Sequence, residues 1–342
     1  MKRLYGIQYL RAVAALGVVV FHAAERSGMH FAIGAAGVDV FFVISGFIMW
    51  VIATDRAPSP AAFLRDRIER IAPLYWITTG IMIARALIGL FPNLRLTTWY
   101  VLSSLAFIAS RSPSTGDIWP VLVQGWTLNY EMFFYILFAM ALFLPAKRRL
   151  SALAALFLAL VAAGWLLHPE TPVLKTWTDP LLLEFLAGMV IGKAWLKGAV
   201  PSPAVGLALL AAAVAGFAFV GITYTGFNAF VLGPLAAALV LGVLSFEKRG
   251  AVARLPAAAY LGDASYSIYL WHTMAISVVA KAASMLALPG PVAFAAAVIA
   301  GTALGAAAHE TLEKPIAAFI KSRRRKQTPD AGAKWQARSR TS

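Results

Sequence analysis

Residues 6–24 read GIQYLRAVAALGVVVFHAA, an apolar run in which Gln8, Arg11 and His22 are the strongly polar positions. A helix that spans a bilayer needs about 20 mostly apolar residues, and this run has that length. A cleaved signal peptide is the alternative, but Arg11 interrupts what would be its apolar core. The run therefore predicts a first transmembrane helix.

Arg11 and His22 are placed on one side of that helix by its geometry. Eleven residues at 100° each turn the helix through about 1100°, which is only about 20° beyond three full turns. The two side chains then leave the same face about 16 Å apart along the axis. An ionisable group in a bilayer is costly unless it is paired or lines a wet cavity. We therefore expect a lined path through the membrane; the alternative is that Arg11 snorkels to headgroups and His22 satisfies a neighbouring carbonyl.

Composition extends this interpretation to the whole chain. Of its 342 residues 60% are hydrophobic and 13% charged, and the mean hydropathy is +0.75. A soluble domain has about 45–50% apolar and about 25% charged residues, so a soluble globular enzyme is excluded. Nine further stretches are long enough to span: 35–54, 72–92, 121–144, 150–167, 180–196, 202–221, 227–246, 264–286 and 291–313. The segment 99–110 is apolar but short, which predicts a re-entrant or interfacial helix.

The basic residues are distributed unevenly between the predicted loops. If the chain starts in the cytoplasm, 23 of its 30 Lys and Arg residues fall on the cytoplasmic side of ten spans, as the positive-inside rule expects. The net charge of +15 then reflects membrane topology and not nucleic-acid binding. We predict an all-α bundle of about ten spans in the cell membrane with both termini cytoplasmic. The chain has no cysteine, which excludes disulfides, thiolate metal sites and cysteine nucleophiles.

Two segments on the predicted cytoplasmic side differ in sequence from the other loops. Residues 62–73, between the second and third spans, have an apolar face and predict a short amphipathic interfacial helix. Residues 1–318 form the predicted transmembrane domain. Residues 319–342 are basic and rich in loop formers, which predicts a disordered cytoplasmic tail attracted to anionic lipid.

Arg67 and Arg70 project from nearly one side of the amphipathic segment, three residues apart. A pair of guanidinium forks is suited to phosphate oxygens. The alternative is that both arginines follow the positive-inside rule and pair with Asp66 and Glu69 on their own helix.

Polar residues also occur early in the second span. Asp39 is expected at the depth where the first helix ends, so its carboxylate would fix the tautomer of His22. The small pair Ser45-Gly46 is typical of close helix packing in membranes, although Ser45 is also a candidate for lining the cavity.

Two aromatic clusters complete the set of candidate residues. WTLNYEMFFY at 126–135 holds Trp126 and Glu131, and SYSIYLWH at 265–272 holds Tyr269 and His272. Aromatic belts often only anchor a helix at the interface. Glu131 and His272 lie too deep for that explanation, so we expect them to line a functional cavity.

Five of these segments occur in a fixed order along the chain. They are LRAVAALGVVVFH at 10–22, GVDVFFVISGF at 37–47, RIERIAPLYW at 67–76, WTLNYE at 126–131 and YSIYLWH at 266–272. Together they resemble the membrane acyltransferase 3 family over nearly all of the chain except the C-terminal tail. Within that family the chain most resembles the acetyltransferases of exopolysaccharide production.

The resemblance implies a reaction and roles for the residues. It implies transfer of an acyl group, acetyl in these relatives, from an acyl-coenzyme A donor to a carbohydrate hydroxyl, with no permanently bound cofactor. Arg11 and His22 match the family's Arg-x10-His motif, and Arg67 and Arg70 match its Arg-x-x-Arg motif.

A set of roles follows when the motifs are combined with the residue chemistry. The three arginines would hold the donor. His22 would be the general base, oriented by Asp39, with Glu131 as a further catalytic candidate. Four residues are expected to line the cavity or bind the acceptor: Ser45, Trp126, Tyr269 and His272. A covalent acyl-histidine stays open as a variant.

Two other classes of protein are compatible with charged residues inside a bundle. A transporter or flippase for a lipid-linked sugar is the first, but no internal repeat of the kind that many transporters show is visible. A non-catalytic assembly subunit is the second, and it leaves the charged motifs unexplained.

Overall fold

The computed structural model describes residues 3–90 and 93–327, in which the secondary structure is helical, with no β-strand in those ranges. The α-helices are α1 Tyr5–Arg26, α2 Gly37–Arg56, α3 Pro60–Leu87, α4 Thr98–Leu105, α5 Trp126–Ala141, α6 Ala146–Leu167, α7 Pro172–Trp177, α8 Leu182–Leu196, α9 Pro203–Thr223, α10 Ala229–Glu247, α11 Pro256–Met285, α12 Gly290–Ala308 and α13 Lys314–Gln327. Short 3-10 helices occupy Ala32–Ala36 and Val123–Gly125, and His309–Glu313 form one π-helical turn. The predicted all-α class is confirmed.

Within the described ranges, six helical segments are long and apolar enough to cross a membrane. They are Tyr5–Arg26, Ala32–Arg56, Ala146–Leu167, Pro203–Thr223, Ala229–Glu247 and Gly290–Arg324. The chain is therefore a membrane protein. Ten of the helices overlap the ten predicted spans, while the count of ten spans and the cytoplasmic termini stay predictions.

The start of α1 is held by the end of α10. The backbone N–H groups of Tyr5 and Gly6 donate to the Glu247 carboxylate at 3.1 and 2.5 Å. A carboxylate at this position satisfies N–H groups that have no partner within the helix and complements the helix dipole. We call the end of the bundle where α1 begins the arginine end, and the end where α1 terminates at Arg26 the histidine end.

Small residues bring the central helices into backbone contact. Gly46 of α2 faces the Phe185 carbonyl of α8, and Gly188 of α8 faces the Val43 carbonyl of α2. A Cβ atom at either glycine would overlap the opposing backbone. The expectation that the pair at Ser45-Gly46 packs closely thus holds for Gly46, as is usual where membrane helices approach closely.

The prediction of a separate short amphipathic helix at 62–73 is wrong. That segment is the first part of α3, which continues through Pro73 to Leu87. A proline inside a helix removes one hydrogen bond, and in membrane bundles neighbouring helices re-satisfy the backbone around it. Here the Tyr266 hydroxyl donates to the Ile71 carbonyl at 2.7 Å, so α11 supports α3 close to the proline.

The C-terminal segment also differs from its prediction. Residues 319–327 belong to α13, although the sequence predicts that the tail is disordered from residue 319. Contacts of α13 with α3 at the arginine end account for this order, since Arg324 forms ion pairs with Asp66 and Glu69. The predicted tail from residue 328 onward lies outside the described residues.

Candidate active site

A cavity of about 390 Å³ lies within the bundle toward the arginine end. Its volume is within the usual range of ligand sites. It is lined from α1, α2, α3, α5 and α11 by Gln8, Arg11, Val38, Phe41, Phe42, Ile44, Ser45, Ile48, Met49, Arg67, Arg70, Ile71, Thr127, Leu128, Glu131, Tyr135, Asp263, Ser265, Tyr266 and Tyr269. Three arginines from two helices therefore share one chamber whose other walls are largely apolar and aromatic.

The three arginines differ in how they are held. Arg11 donates to the Gln8 side chain, one turn earlier on α1, at 3.3 Å. Arg70 is paired with the Glu313 carboxylate at 3.5 Å, and its side chain is 44% exposed. The Nε atom of Arg67 is buried with no hydrogen-bond partner among the described residues. Arg67 also lines the cavity, so its guanidinium group is a candidate donor to a ligand there.

Glu131 lies in the same chamber as the arginines. Its Oε1 accepts hydrogen bonds from the Ser45 hydroxyl at 2.8 Å and from the Tyr135 hydroxyl at 2.5 Å. These two donors fix the carboxylate from α2 and from its own helix. The predicted candidates Ser45 and Glu131 are thus brought together at the wall of the cavity.

Tyr269 closes the cavity toward the histidine end. Its hydroxyl lies 3.1 Å from the Thr127 hydroxyl and donates to the Gln124 carbonyl at 3.2 Å. Its ring packs edge-on against Phe41, with the ring centroids 6.1 Å apart. We call Tyr269, Thr127, Gln124 and Phe41 the closing layer.

His22 is not among the residues that line the cavity. Its Nδ1 lies 3.2 Å from the Glu25 carboxylate, and its side chain is 33% exposed. Because a carboxylate accepts, Nδ1 carries the proton of the neutral ring and Nε2 is left as the acceptor. The sequence analysis missed Glu25, although its i, i+3 spacing from His22 on one helix was a usable signal.

The expectation that Asp39 orients His22 is wrong. The segment Ala32–Ala36 runs back along α1, so Gly37 at the start of α2 packs on the Ala14 carbonyl. Eight residues of helix, or about 12 Å, separate that level from His22. Asp39 is buried and has the Glu184 side chain of α8 as its neighbour.

His272 lies beyond the closing layer and does not line the cavity. It is fully buried, and its Nδ1 lies 3.1 Å from the Ile268 carbonyl, which fixes the proton on Nδ1. Its Nε2 has no partner among the described residues. The expected cavity residue Trp126 lies outside the cavity too and packs edge-on against Tyr130, with centroids 5.8 Å apart.

A second polar cluster contacts Arg70 through the Glu313 carboxylate, and the sequence analysis missed it. Glu313 ends the π-helical turn, and its Oε2 accepts from the Ser267 hydroxyl at 2.6 Å and from His309 Nδ1 at 2.7 Å. Isolated π-helical turns often occur at functional sites. The turn directs the Glu313 carboxylate toward Arg70.

The helical bundle and its arginine-lined cavity define a membrane protein with an internal candidate ligand site. Residues 4–310 match the family model described as "Acyltransferase domain", the acyltransferase 3 family. The chain belongs to this family and is an O-acyltransferase.

Three similar proteins match the chain in sequence over most of their own length. The chain is 56% identical over 306 residues to the exopolysaccharide production protein ExoZ of Rhizobium meliloti (strain 1021), which covers 90% of this chain and 96% of that protein. It is 30% identical over 292 residues to BcsY of Komagataeibacter xylinus, named as a membrane-bound transacylase, covering 78% of this chain and 71% of that protein. The acyltransferase MdmB of Streptomyces mycarofaciens is 27% identical over 309 residues, covering 80% of this chain and 79% of MdmB. No solved structure matches the chain.

Proposed function

We propose that the protein transfers an acyl group, acetyl in the first instance, from acyl-coenzyme A to a hydroxyl of an exopolysaccharide or its lipid-linked precursor. One observation carries the proposal. Three arginines converge on one cavity, and the helix that supplies Arg11 also bears His22. The likeness to a protein of exopolysaccharide production supports the choice of acceptor.

The cavity suits the donor. Coenzyme A is a polyanion, and guanidinium groups bind phosphate oxygens through paired hydrogen bonds. In the proposal Arg67 and Arg70 bind the phosphates on the cytoplasmic side of the inner membrane, and Arg11 neutralises charge deeper in. The pantetheine arm is roughly 15 to 20 Å long, comparable to the rise of about 16 Å from Arg11 to His22.

His22 acts as the general base. Its Nε2 removes the proton from the acceptor hydroxyl while the hydroxyl oxygen attacks the thioester carbonyl. The carbon–sulfur bond then breaks, and the imidazolium returns the proton to the leaving thiolate. Such proton transfer contributes about 10²–10⁴-fold to the rate. Glu25 holds the proton on Nδ1 and stabilises the imidazolium, the role assigned by the sequence to Asp39.

The closing layer separates the cavity from His22, so the proposal requires the layer to open during turnover. Among the described residues, the hydroxyl of Tyr269 makes neutral hydrogen bonds, each of which contributes about 1 kcal/mol. Donor binding in the cavity can offset that cost. Opening would deliver the thioester to His22 and His272 without exposing it to water on the cytoplasmic side.

The test is acyl transfer by the purified full-length protein, with labelled acetyl-coenzyme A and isolated exopolysaccharide. We expect label in the polysaccharide with the wild type and with Arg85→Ala, whose site lies outside the cavity lining. Label should be lost with His22→Ala and with Arg11→Ala. Transfer that persists in His22→Ala would show that His22 is not the general base. Labelled lipid or protein without labelled carbohydrate would show that a carbohydrate is not the acceptor.

A further inference from the structure

The C-terminal helix places an arginine on the acidic side chains beside the Arg67 and Arg70 pair. Arg324 Nη1 lies 2.6 Å from the Asp66 carboxylate, and Arg324 Nη2 contacts the Glu69 carboxylate. The three side chains are between 29% and 37% exposed. A guanidinium shared by two carboxylates is more ordered than an isolated surface ion pair.

Without that contact the two acids have other cationic neighbours. Asp66 is four residues before Arg70 on α3, a spacing at which a carboxylate and an arginine pair. Glu69 and Arg70 line a common small pocket together with Glu313. Both carboxylates are therefore within reach of the guanidinium that faces the cavity, and both would repel an anionic ligand.

We propose that Arg324 is a positioning residue for the donor site: it occupies Asp66 and Glu69, which leaves Arg67 and Arg70 available to the phosphates of the acyl donor. This inference rests on the proposed function, because it assumes that the two arginines bind the donor. It acts on donor affinity and leaves the transfer step, which takes place beyond the closing layer, unchanged.

The position of Arg324 makes this role distinct from the family motifs. The family match ends at residue 310, and both Glu313 and Arg324 come after it. Glu313 holds Arg70 directly, whereas Arg324 removes competitors for it. The segment after α12 thus supports the donor site through two separate contacts with α3.

The experiment measures the KM for acetyl-coenzyme A and the kcat of the full-length protein in nanodiscs, with coenzyme A binding by calorimetry as the second readout. Arg324→Gln should raise the donor KM and the coenzyme A Kd about fivefold with kcat unchanged. Arg323→Gln is the matched control, since Arg323 lies over the Phe319 ring of its own helix, 5.3 Å from the centroid. It should bind coenzyme A as the wild type does.

Rescue separates an indirect role from direct phosphate binding. In an Asp66→Asn, Glu69→Gln background neither of the two carboxylates that Arg324 occupies is left to compete, so adding Arg324→Gln should no longer change the donor KM. If Arg324→Gln still raises KM fivefold in that background, Arg324 acts in another way, such as binding phosphate itself, and the inference is overturned. This comparison also holds if Arg324→Gln alone folds poorly. The Asp66→Asn, Glu69→Gln background already lacks the ion pairs with Arg324, so its fold does not depend on them.

The same measurements distinguish this inference from the proposed function. Normal coenzyme A binding by an Arg67→Ala, Arg70→Ala variant would show that these two arginines do not bind the donor. Lost binding in that variant, together with normal binding by Arg324→Gln, would overturn the role of Arg324 alone.

Discussion

The imidazole rings of His22 and His272 are stacked, with their centroids 5.3 Å apart and their planes inclined by 30°. Each ring has its Nδ1 committed to an oxygen, Glu25 for His22 and the Ile268 carbonyl for His272. Each Nε2 is therefore an acceptor of the same kind. The pair differs in access, because His22 is 33% exposed and His272 is fully buried. His22 is thus the accessible ring of the pair, as the proposed general base requires, and it packs against the buried His272.

The contact with Glu25 gives a first prediction. Glu25→Gln removes the negative charge that stabilises the imidazolium, so kcat should fall about tenfold while the donor KM is unchanged. Steady-state kinetics with acetyl-coenzyme A measure both. Glu170→Gln, at an exposed glutamate outside the cavity lining, is the control and should leave kcat unchanged. An unchanged kcat in Glu25→Gln would show that the Glu25 carboxylate does not assist His22.

A second prediction concerns the phosphate-binding pair. Arg67→Ala, Arg70→Ala should raise the donor KM at least tenfold, because each arginine contributes charge-assisted hydrogen bonds of about 1.5–3 kcal/mol. Arg65→Ala removes an exposed arginine from the same helix outside the cavity lining, so it controls for the lost positive charge. Equal effects of the two changes would mean that net charge, and not the cavity, attracts the donor.

A third prediction follows from the closing layer. Tyr269→Phe removes the hydroxyl that bonds to Thr127 and to the Gln124 carbonyl, and it keeps the ring against Phe41. The layer should open more easily, so hydrolysis of acetyl-coenzyme A without carbohydrate should rise relative to transfer. The ratio of free acetate to labelled polysaccharide measures this. Thr302→Val, which removes a hydroxyl bonded within α12, is the control. A ratio equal to that of the wild type would show that Tyr269 does not separate the two compartments.

Part of this site follows from the sequence. Helical geometry puts Arg11 and His22 on one face of α1, and the i, i+3 spacing puts Arg67 and Arg70 on one side of α3. The structure brings Arg11, Arg67 and Arg70 to one cavity, although their binding of a donor stays a prediction. Local periodicity was sufficient here because each pair belongs to a single helix.

The errors arose where the position of one helix relative to another decides the contact. The sequence predicts Asp39 beside His22 only if the second span starts at the membrane surface. Its helix instead starts alongside Ala14, after a segment that runs back along α1. The contacts of Arg324 and Glu313 with α3 join segments far apart in sequence, and no local pattern indicates them.

The last prediction tests the packing that holds α2, and with it Ser45, at the cavity. A Cβ atom at Gly188 would overlap the Val43 carbonyl and the Phe47 amide, both of which are backbone groups in the middle of α2. Gly188→Ala should therefore force α8 away from α2 and lower the free energy of unfolding by about 2 kcal/mol or more. Gly80→Ala is the matched control, since a Cβ atom at Gly80 of α3 meets nothing within 4 Å. Alanine is the better helix former, so that change should be neutral or stabilising by up to about 1 kcal/mol. Thermal unfolding in detergent measures both, and equal midpoints would show that α2 and α8 are not in backbone contact.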